Sequence, residues 1–403
     1  MPEWALLRSL RHRDFRLYYV GQLISLNGTW MQTVAQAWLV YRLTNSSLML
    51  GVVAFLAMAP VLLFGLVGGV LADRLPRQRL FMTAQLLAMA QALVLAVLTL
   101  GGWVQVWQIM ILALLLGLVH AFEMPARHTF IAELVPREHL PNAIALNSSA
   151  FNTARFVGPT LAGLVVAHFG EGVAFLVNAV SFLAVLVAIA RMGRTPPVPV
   201  AAAGGPGRVL DGLRFARDAP RIRATLSMVA LASMLGSSYA ILMPIFAREI
   251  FGGGAETLGL LLGSAGVGAM LAALRLAQRA SGVGLERIIG LSGVVAGVVM
   301  LLFAGVRHVG LALLLLPIIG FCFTSLVASG NTLIQLEVPD QLRGRVMSLY
   351  SVTFIGLTPV GNLIAGSLGH FAGAPFTVAL FGAICCAGAL FYLVRQTGRS
   401  APP

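Results

Sequence analysis

Lysine is absent from the 403-residue sequence, and all 27 basic side chains are arginine. Acidic residues number only 14, and charged residues of both signs make up 10% of the chain. With 58% of residues hydrophobic and a mean hydropathy of +0.90, polar surface is too sparse for a water-soluble enzyme of this length. Cysteine is scarce as well: Cys322, Cys385 and Cys386 lie in apolar runs, so no disulfide framework and no CxxC metal pattern is implied. No Walker-type phosphate loop and no HExxH helix occurs, which counts against an ATP-driven protein or a metalloenzyme. No metal, cofactor or enzymatic activity is expected.

The solvent for most of this chain is lipid. At roughly 20 residues per membrane-spanning helix, twelve spans use about 240 residues. Apolar segments run near 15–43, 47–72, 79–101, 104–124, 142–168, 172–192, 224–251, 257–279, 286–306, 309–330, 345–370 and 374–395. The predicted fold class is an all-α membrane protein with twelve transmembrane helices in two six-helix bundles. Residues 1–193 form the first bundle and 224–403 the second. The stretch 194–223 between them begins as a Pro/Gly/Ala linker. It continues as a basic amphipathic helix suited to a membrane surface.

A net charge of +13 and a pI near 11.2 invite a nucleic-acid reading, but the placement of the arginines argues otherwise. With the N-terminus in the cytoplasm, 23 of the 27 fall on the cytoplasmic side, Arg127 among them, and only Arg42, Arg248 and Arg307 lie opposite. This is the positive-inside asymmetry. It puts both termini in the cytoplasm of a bacterial-type inner membrane and leaves no need for a nucleic acid.

An internal repeat supports the six-plus-six division. Aligning Pro136 with Pro339 sets Gly158 on Gly361, Ala162 on Ala365 and Gly163 on Gly366. Two parallel bundles suggest a transporter with a central site.

Several polar residues inside spans are candidates for that site. Arg155 is the one arginine expected deep in a span, where a charge is costly and by default functional. It shares a helix face with Ser148, Asn152 and Pro159. The second half offers an uncharged counterpart in Ser348, Ser351, Thr358 and Asn362. On the first span Gln22, Ser25, Thr29, Gln32 and Gln36 form a row that either lines the cavity or bonds neighbouring helices. His120 and Glu123, spaced i, i+3, are a titratable pair near the inner end of span four.

Between spans two and three, Gly69-Val70-Leu71-Ala72-Asp73-Arg74-Leu75-Pro76-Arg77-Gln78-Arg79 resembles the signature loop of the major facilitator superfamily, with Pro76 in place of the usual second glycine. The resemblance implies a cytoplasmic latch made by Gly69, Asp73, Arg74 and Arg77. Asp73 would face the start of span eleven near Gly344, and Arg74 or Arg77 would pair with Glu123. Gly158-Pro159-Thr160-Leu161-Ala162-Gly163 is similar to the helix-bend motif of the superfamily's antiporters, which implies export. A plain kinked packing helix is the alternative.

Arg13-Asp14-Phe15-Arg16, Tyr41-Arg42-Leu43-Thr44-Asn45-Ser46-Ser47, Pro125-Ala126-Arg127-His128 and Asn142-Ala143-Ile144-Ala145-Leu146-Asn147 narrow the resemblance. They match the exporter branch that includes the enterobactin exporter and macrolide-efflux proteins. That branch implies a monomeric secondary exporter of siderophores or hydrophobic drugs, driven by protons and working by alternating access. His120 and Glu123 are the proton-coupling candidates, although Glu123 also fits as the salt-bridge partner of the loop. Span four lacks the arginine of the proton-drug antiporters between Gln108 and Gly117, and span one has no internal acid. A channel, a lipid-handling membrane protein or a pump subunit is the alternative class.

Overall fold

In the computed structural model, residues 7–193, 207–236, 238–278 and 283–397 are described, with side chains except at 66, 70, 72–74, 128, 207–211, 277, 396 and 397. Helix accounts for nearly all of them, and no strand occurs among them. This follows from the solvent: a chain crossing lipid satisfies its backbone polar groups within each helix. The first six helices are α1 (Arg13–Thr44), α2 (Ser47–Arg74), α3 (Arg77–Leu100), α4 (Val106–Glu133), α5 (Leu140–Phe169) and α6 (Glu171–Ala190). The first part of the expected linker, 194–206, lies outside the described residues; α7 (Gly207–Asp218) falls in its second part, followed by α8 (Pro220–Leu231) and the short α9 (Met243–Ile245). The rest are α10 (Ala255–Ala277), α11 (Leu285–Ala304), α12 (Val309–Glu337), α13 (Asp340–Ala372) and α14 (Ala374–Thr397).

Among the described residues, ten helical stretches are long and apolar enough to cross a membrane. The other two expected span positions are filled by α1 and α5, of 32 and 30 residues, which carry more polar side chains. The seventh span is broken. Between α8 and Ile250 the chain passes through a π turn at Ala232–Gly236, a 3-10 turn at Ser238–Leu242, α9 and a second π turn at Phe246–Ile250. Several helices outrun their apolar segments. α4 continues through Pro125 to Glu133, and α12 reaches Glu337. Proline inside a membrane helix is tolerated where neighbours satisfy the freed carbonyl.

Contacts divide the chain into two units. The first comprises Met1–Thr44, Leu56–Ala203 and Gly254–Gly259; the second comprises Asn45–Phe55, Gly204–Gly253 and Leu260–Pro403. Within the first, α1 packs on α5 and α6, and α3 on α4 and α6. One end of its core is an aromatic knot of Phe15, Tyr18, Phe81 and Phe130, with Tyr18, Phe81 and Phe130 ring centroids 5.7–6.2 Å apart. Within the second, α11 packs on α12 and α14, and α7 lies along α13. Its buried Tyr350 donates a hydrogen bond to the Val327 carbonyl at 2.9 Å.

The internal repeat reaches into backbone detail. α5 and α13 both end on a glycine in the left-handed region, Gly170 (φ 82) and Gly373 (φ 86), at positions that match in the Pro136/Pro339 alignment. In the first unit Gly163 lies against the start of α10: a Cβ there would be 2.9 Å from the Ala255 carbonyl oxygen and 3.0 Å from Gly259 Cα. In the second, a Cβ on Gly366 would be 2.6 Å from the Ser47 carbonyl oxygen and 2.7 Å from Gly51 Cα. Both are backbone-to-backbone crossings of the kind small residues permit in lipid. Gly163→Leu and Gly366→Leu are each expected to destabilise the protein by about 1–3 kcal/mol through overpacking. Gly65→Ala, whose added Cβ meets nothing within 4 Å, should be neutral or stabilising. Thermal unfolding in detergent checks all three, and a Gly163 or Gly366 variant as stable as the parent would contradict the close crossings.

Candidate functional site

Polar residues of the first unit fall into three groups. The first is a sealed hydrogen-bond network at mid-helix. Gln32 on α1 donates to Gln91 Oε1 on α3 at 2.9 Å and accepts from Asn178 Nδ2 on α6 at 2.7 Å, while Ser181 donates to the Asn178 backbone and side chain at 2.8 and 3.1 Å. Gln32, Gln91 and Asn178 are buried. Gln32 thus bonds neighbouring helices, the second of the two uses open to its row. Gln36, one turn on, is half-buried.

The second group surrounds a cavity of about 50 Å³ between α1, α3, α4 and α6. Gln22, Ser25 and Thr29 from the same row line it, with Gln85, His120, Glu123 and Arg127. Glu123 is buried, and Arg127, one turn further along α4, approaches it to 3.6 Å. Gln22 Nε2, Gln85 Oε1 and Arg127 Nε are buried without a hydrogen-bond partner among the described residues. Since one water needs on the order of 10–15 Å³ of such space, the volume accommodates roughly three or four, and these orphaned groups supply the polar contacts buried water requires. A carboxylate, an imidazole and a guanidinium on successive turns of one helix, beside room for water, can take up and release a proton while the arginine holds the counter-charge.

Arg127 lies on α4 rather than in a loop, because the helix continues through Pro125 to Glu133. The latch pairing differs from the expectation for Arg77. Arg77 donates to Glu133 at 2.6 Å, both buried, which ties α3 to α4 inside the first unit. Among the described side chains, Glu123 is approached by Arg127. Gly69 faces open space, and the close approach of α2 to α4 falls on Gly68, where a Cβ would sit 3.0 Å from the Ala121 carbonyl carbon. Asp73 and Arg74 end α2, but their side chains are outside the described residues.

The third group is the α5 stripe. Ser148 is exposed and Asn152 and Arg155 are half-buried, while Ala143, Ala150, Ala154 and Gly158 on the opposite side are buried in the unit. Asn152 donates to the Ser148 carbonyl at 2.9 Å. Gly158 lets α5 seat on α1, since a Cβ there would lie 3.1 Å from the Asn27 carbonyl oxygen. α5 runs unbroken through Pro159. In the second unit Ser348 and Ser351 are exposed and Thr358 and Asn362 half-buried on α13. The three hydroxyls donate to carbonyls one turn back, at 2.9, 3.0 and 2.9 Å. Each unit therefore presents an accessible polar stripe on the same repeat helix, charged in one and neutral in the other.

Three features were not singled out from sequence. Gln85, and Gln91 and Asn178 as the two partners of Gln32, are isolated amides in apolar helices, whose meeting depends on helix rotation. The break in the seventh span did leave a signal, in Gly236 and Pro244 within an apolar run. Discontinuous spans mark binding regions in transporters.

Helices long enough to cross a bilayer, an internal repeat and polar stripes inside the spans define a multi-pass membrane transporter of small molecules. The comparisons make this specific: the chain belongs to the transmembrane secretion effector family of the major facilitator type, whose pattern matches residues 4–399. It is similar to the staphyloferrin A transporter of Staphylococcus aureus, at 24% identity over 94% of this chain and 96% of that protein. It is also similar to the multidrug efflux pump Tap of Mycolicibacterium fortuitum, at 28% identity over 86% and 87%. The enterobactin exporter EntS of Salmonella choleraesuis is 26% identical over 99% and 98%. Among solved structures, a bacterial homologue of the lysosomal transporter Spinster matches with a TM-score of 0.74 at 13% identity, over 96% of this chain and 97% of that one. That likeness supports the fold alone. The family and its relatives are transporters, not enzymes.

Proposed function

We propose that this protein is a proton-coupled exporter of a siderophore or hydrophobic drug, working by alternating access as a monomer in the cytoplasmic membrane. The observation that carries the reading is the buried Glu123–Arg127 pair with His120 beside a polar cavity. A membrane protein keeps such charges away from water only at considerable cost. Glu123 takes the proton, with His120 one turn away as its relay. Arg127 neutralises the carboxylate when the proton leaves. The substrate meets the stripes of Asn152 and Arg155 on α5 and of Thr358 and Asn362 on α13. An organic anion or a phenolate-rich chelator suits the positive one. Gln36 is assigned to the same substrate path.

The names of two relatives support export, one a multidrug efflux pump and one an enterobactin exporter, and a third is a staphyloferrin A transporter. Residues 1–193 and 224–403 are assigned as the two transporting halves, joined through 194–223. Gly69, Asp73 and Arg74 form the cytoplasmic latch, with Arg77 holding its base through Glu133. The Gly158, Pro159 and Gly163 motif shapes α5 for antiport. Both termini lie in the cytoplasm, the side to which the arginine bias points.

The test is uptake of enterobactin, staphyloferrin A and a panel of hydrophobic drugs into inverted proteoliposomes under an imposed proton gradient. Transport of at least one compound is expected, and it should stop when an uncoupler collapses the gradient. Glu123→Gln should abolish the gradient dependence but still allow passive exchange. Gradient-driven transport at the parental rate in Glu123→Gln would remove Glu123 from the coupling role.

A further inference from the structure

On the surface of the first unit, α1 and α6 enclose a groove of about 320 Å³. Its floor is made by small residues: a Cβ on Gly21 would lie 3.0 Å from the Ala184 carbonyl oxygen and 3.2 Å from Ala188 Cβ, so the two helices touch there. Its sides are the exposed apolar chains of Val20 and Ile24 from α1 and Val187 from α6. Arg16 and Arg191 close one end. Both are exposed, and neither takes part in an ion pair among the described residues.

The two arginines differ in their electrostatic surroundings. Arg191 directly follows α6, where a cation complements the negative pole of the helix. Arg16 sits in the first turn of α1, at the positive pole, where an anion is favoured and a cation is not. An anion seated between the guanidiniums would satisfy both arginines and the α1 terminus together. The remaining length of the groove offers only hydrocarbon contacts, on a helix face of a chain that spans lipid.

We propose that this groove is a binding site for an anionic phospholipid. The phosphate diester lies on Arg16 and Arg191, and one acyl chain runs past Val20, Ile24 and Val187. Guanidinium groups hold phosphate by paired charge-assisted hydrogen bonds, and basic pockets at the ends of membrane helices are suited to such headgroups. The volume falls within the range of about 300–1,000 Å³ typical of small-molecule sites. The inference is independent of substrate and coupling ion.

Native mass spectrometry of the full chain in detergent, titrated with phosphatidylglycerol or with phosphatidylcholine of the same acyl chains, tests it. The parent is expected to retain phosphatidylglycerol preferentially. Arg16→Gln with Arg191→Gln should weaken that binding by about tenfold or more and leave phosphatidylcholine binding unchanged. Val187→Trp, which fills the groove without changing charge, should weaken it as well. The control Arg217→Gln with Arg287→Gln, also exposed arginines but outside the groove, should bind like the parent. Equal retention of the two lipids by the parent, or an undiminished affinity in either groove variant, would overturn the proposal. So would an equal loss in the control, which would make the effect one of overall charge, or displacement of the lipid by glycerol phosphate at matched concentration, which would make it a free-phosphate site.

Discussion

Replacing Arg155 by alanine is expected to lower transport by roughly thirtyfold or more at limiting substrate, while insertion and folding are kept. A guanidinium that pairs with a charged group of the substrate contributes about 2 kcal/mol or more when its partner is desolvated, and each 1.4 kcal/mol is a factor of about ten. The stability side of the expectation separates this role from a structural one. Arg155 is half-buried on an accessible stripe of α5, so the loss of transport should persist when it is normalised to folded protein, as read by thermal unfolding in detergent. A purely structural role would show the reverse, with lower stability and normal turnover per folded molecule. Arg155→Lys retains the charge and loses the planar fork, and intermediate transport is expected from it. Normal turnover in Arg155→Ala would end the substrate-contact reading.

The spans were legible because lipid imposes a simple requirement. Any run of roughly 20 apolar residues must be helix there, and every expected segment carries helix in the structure. The glycine repeat was legible for a related reason: Gly163 and Gly366 serve backbone crossings that no side chain can replace. What sequence could not resolve was where helices stop and how they rotate. Proline at position 125 reads as a boundary, yet α4 continues for two more turns. That continuation moves Arg127 into the cavity wall and places Glu133 beside Arg77. Rotation decides the row on α1, where residues on one face go to different neighbours. Gln22 lines the cavity, whereas Gln32 is bonded between α3 and α6. A periodicity of 3.6 puts them on the same face but does not identify which helix each faces. The same ambiguity explains Gly69: Gly68, its neighbour, is the residue that meets α4.

Arg77→Ala is expected to destabilise the protein by about 3–5 kcal/mol, since it leaves Glu133 as an uncompensated buried carboxylate. The pair sits where α3 begins and α4 ends, with side chains 7% and 4% exposed and 2.6 Å apart. Each residue is in the wrong place for its own helix. Arg77 is at the positive pole of α3, and Glu133 is at the negative pole of α4. Each is in the right place for its partner's helix, because the carboxylate approaches the α3 N-terminus and the guanidinium approaches the α4 C-terminus. The Glu133 carboxylate is therefore unstable without Arg77, and the loss in Arg77→Ala should equal most of the loss from removing both. A double-mutant cycle read by thermal unfolding should give a coupling of about 2 kcal/mol or more, and Arg77→Met with Glu133→Leu should recover much of the parental stability. Additive single effects would mean that the two charges are solvated separately. The result also bears on transport, because the pair anchors the start of α3 directly after the end of α2, where Asp73 and Arg74 lie. If those two residues act as the latch, the double apolar variant should fold and still transport. The single variants should lose transport in proportion to their loss of folded protein.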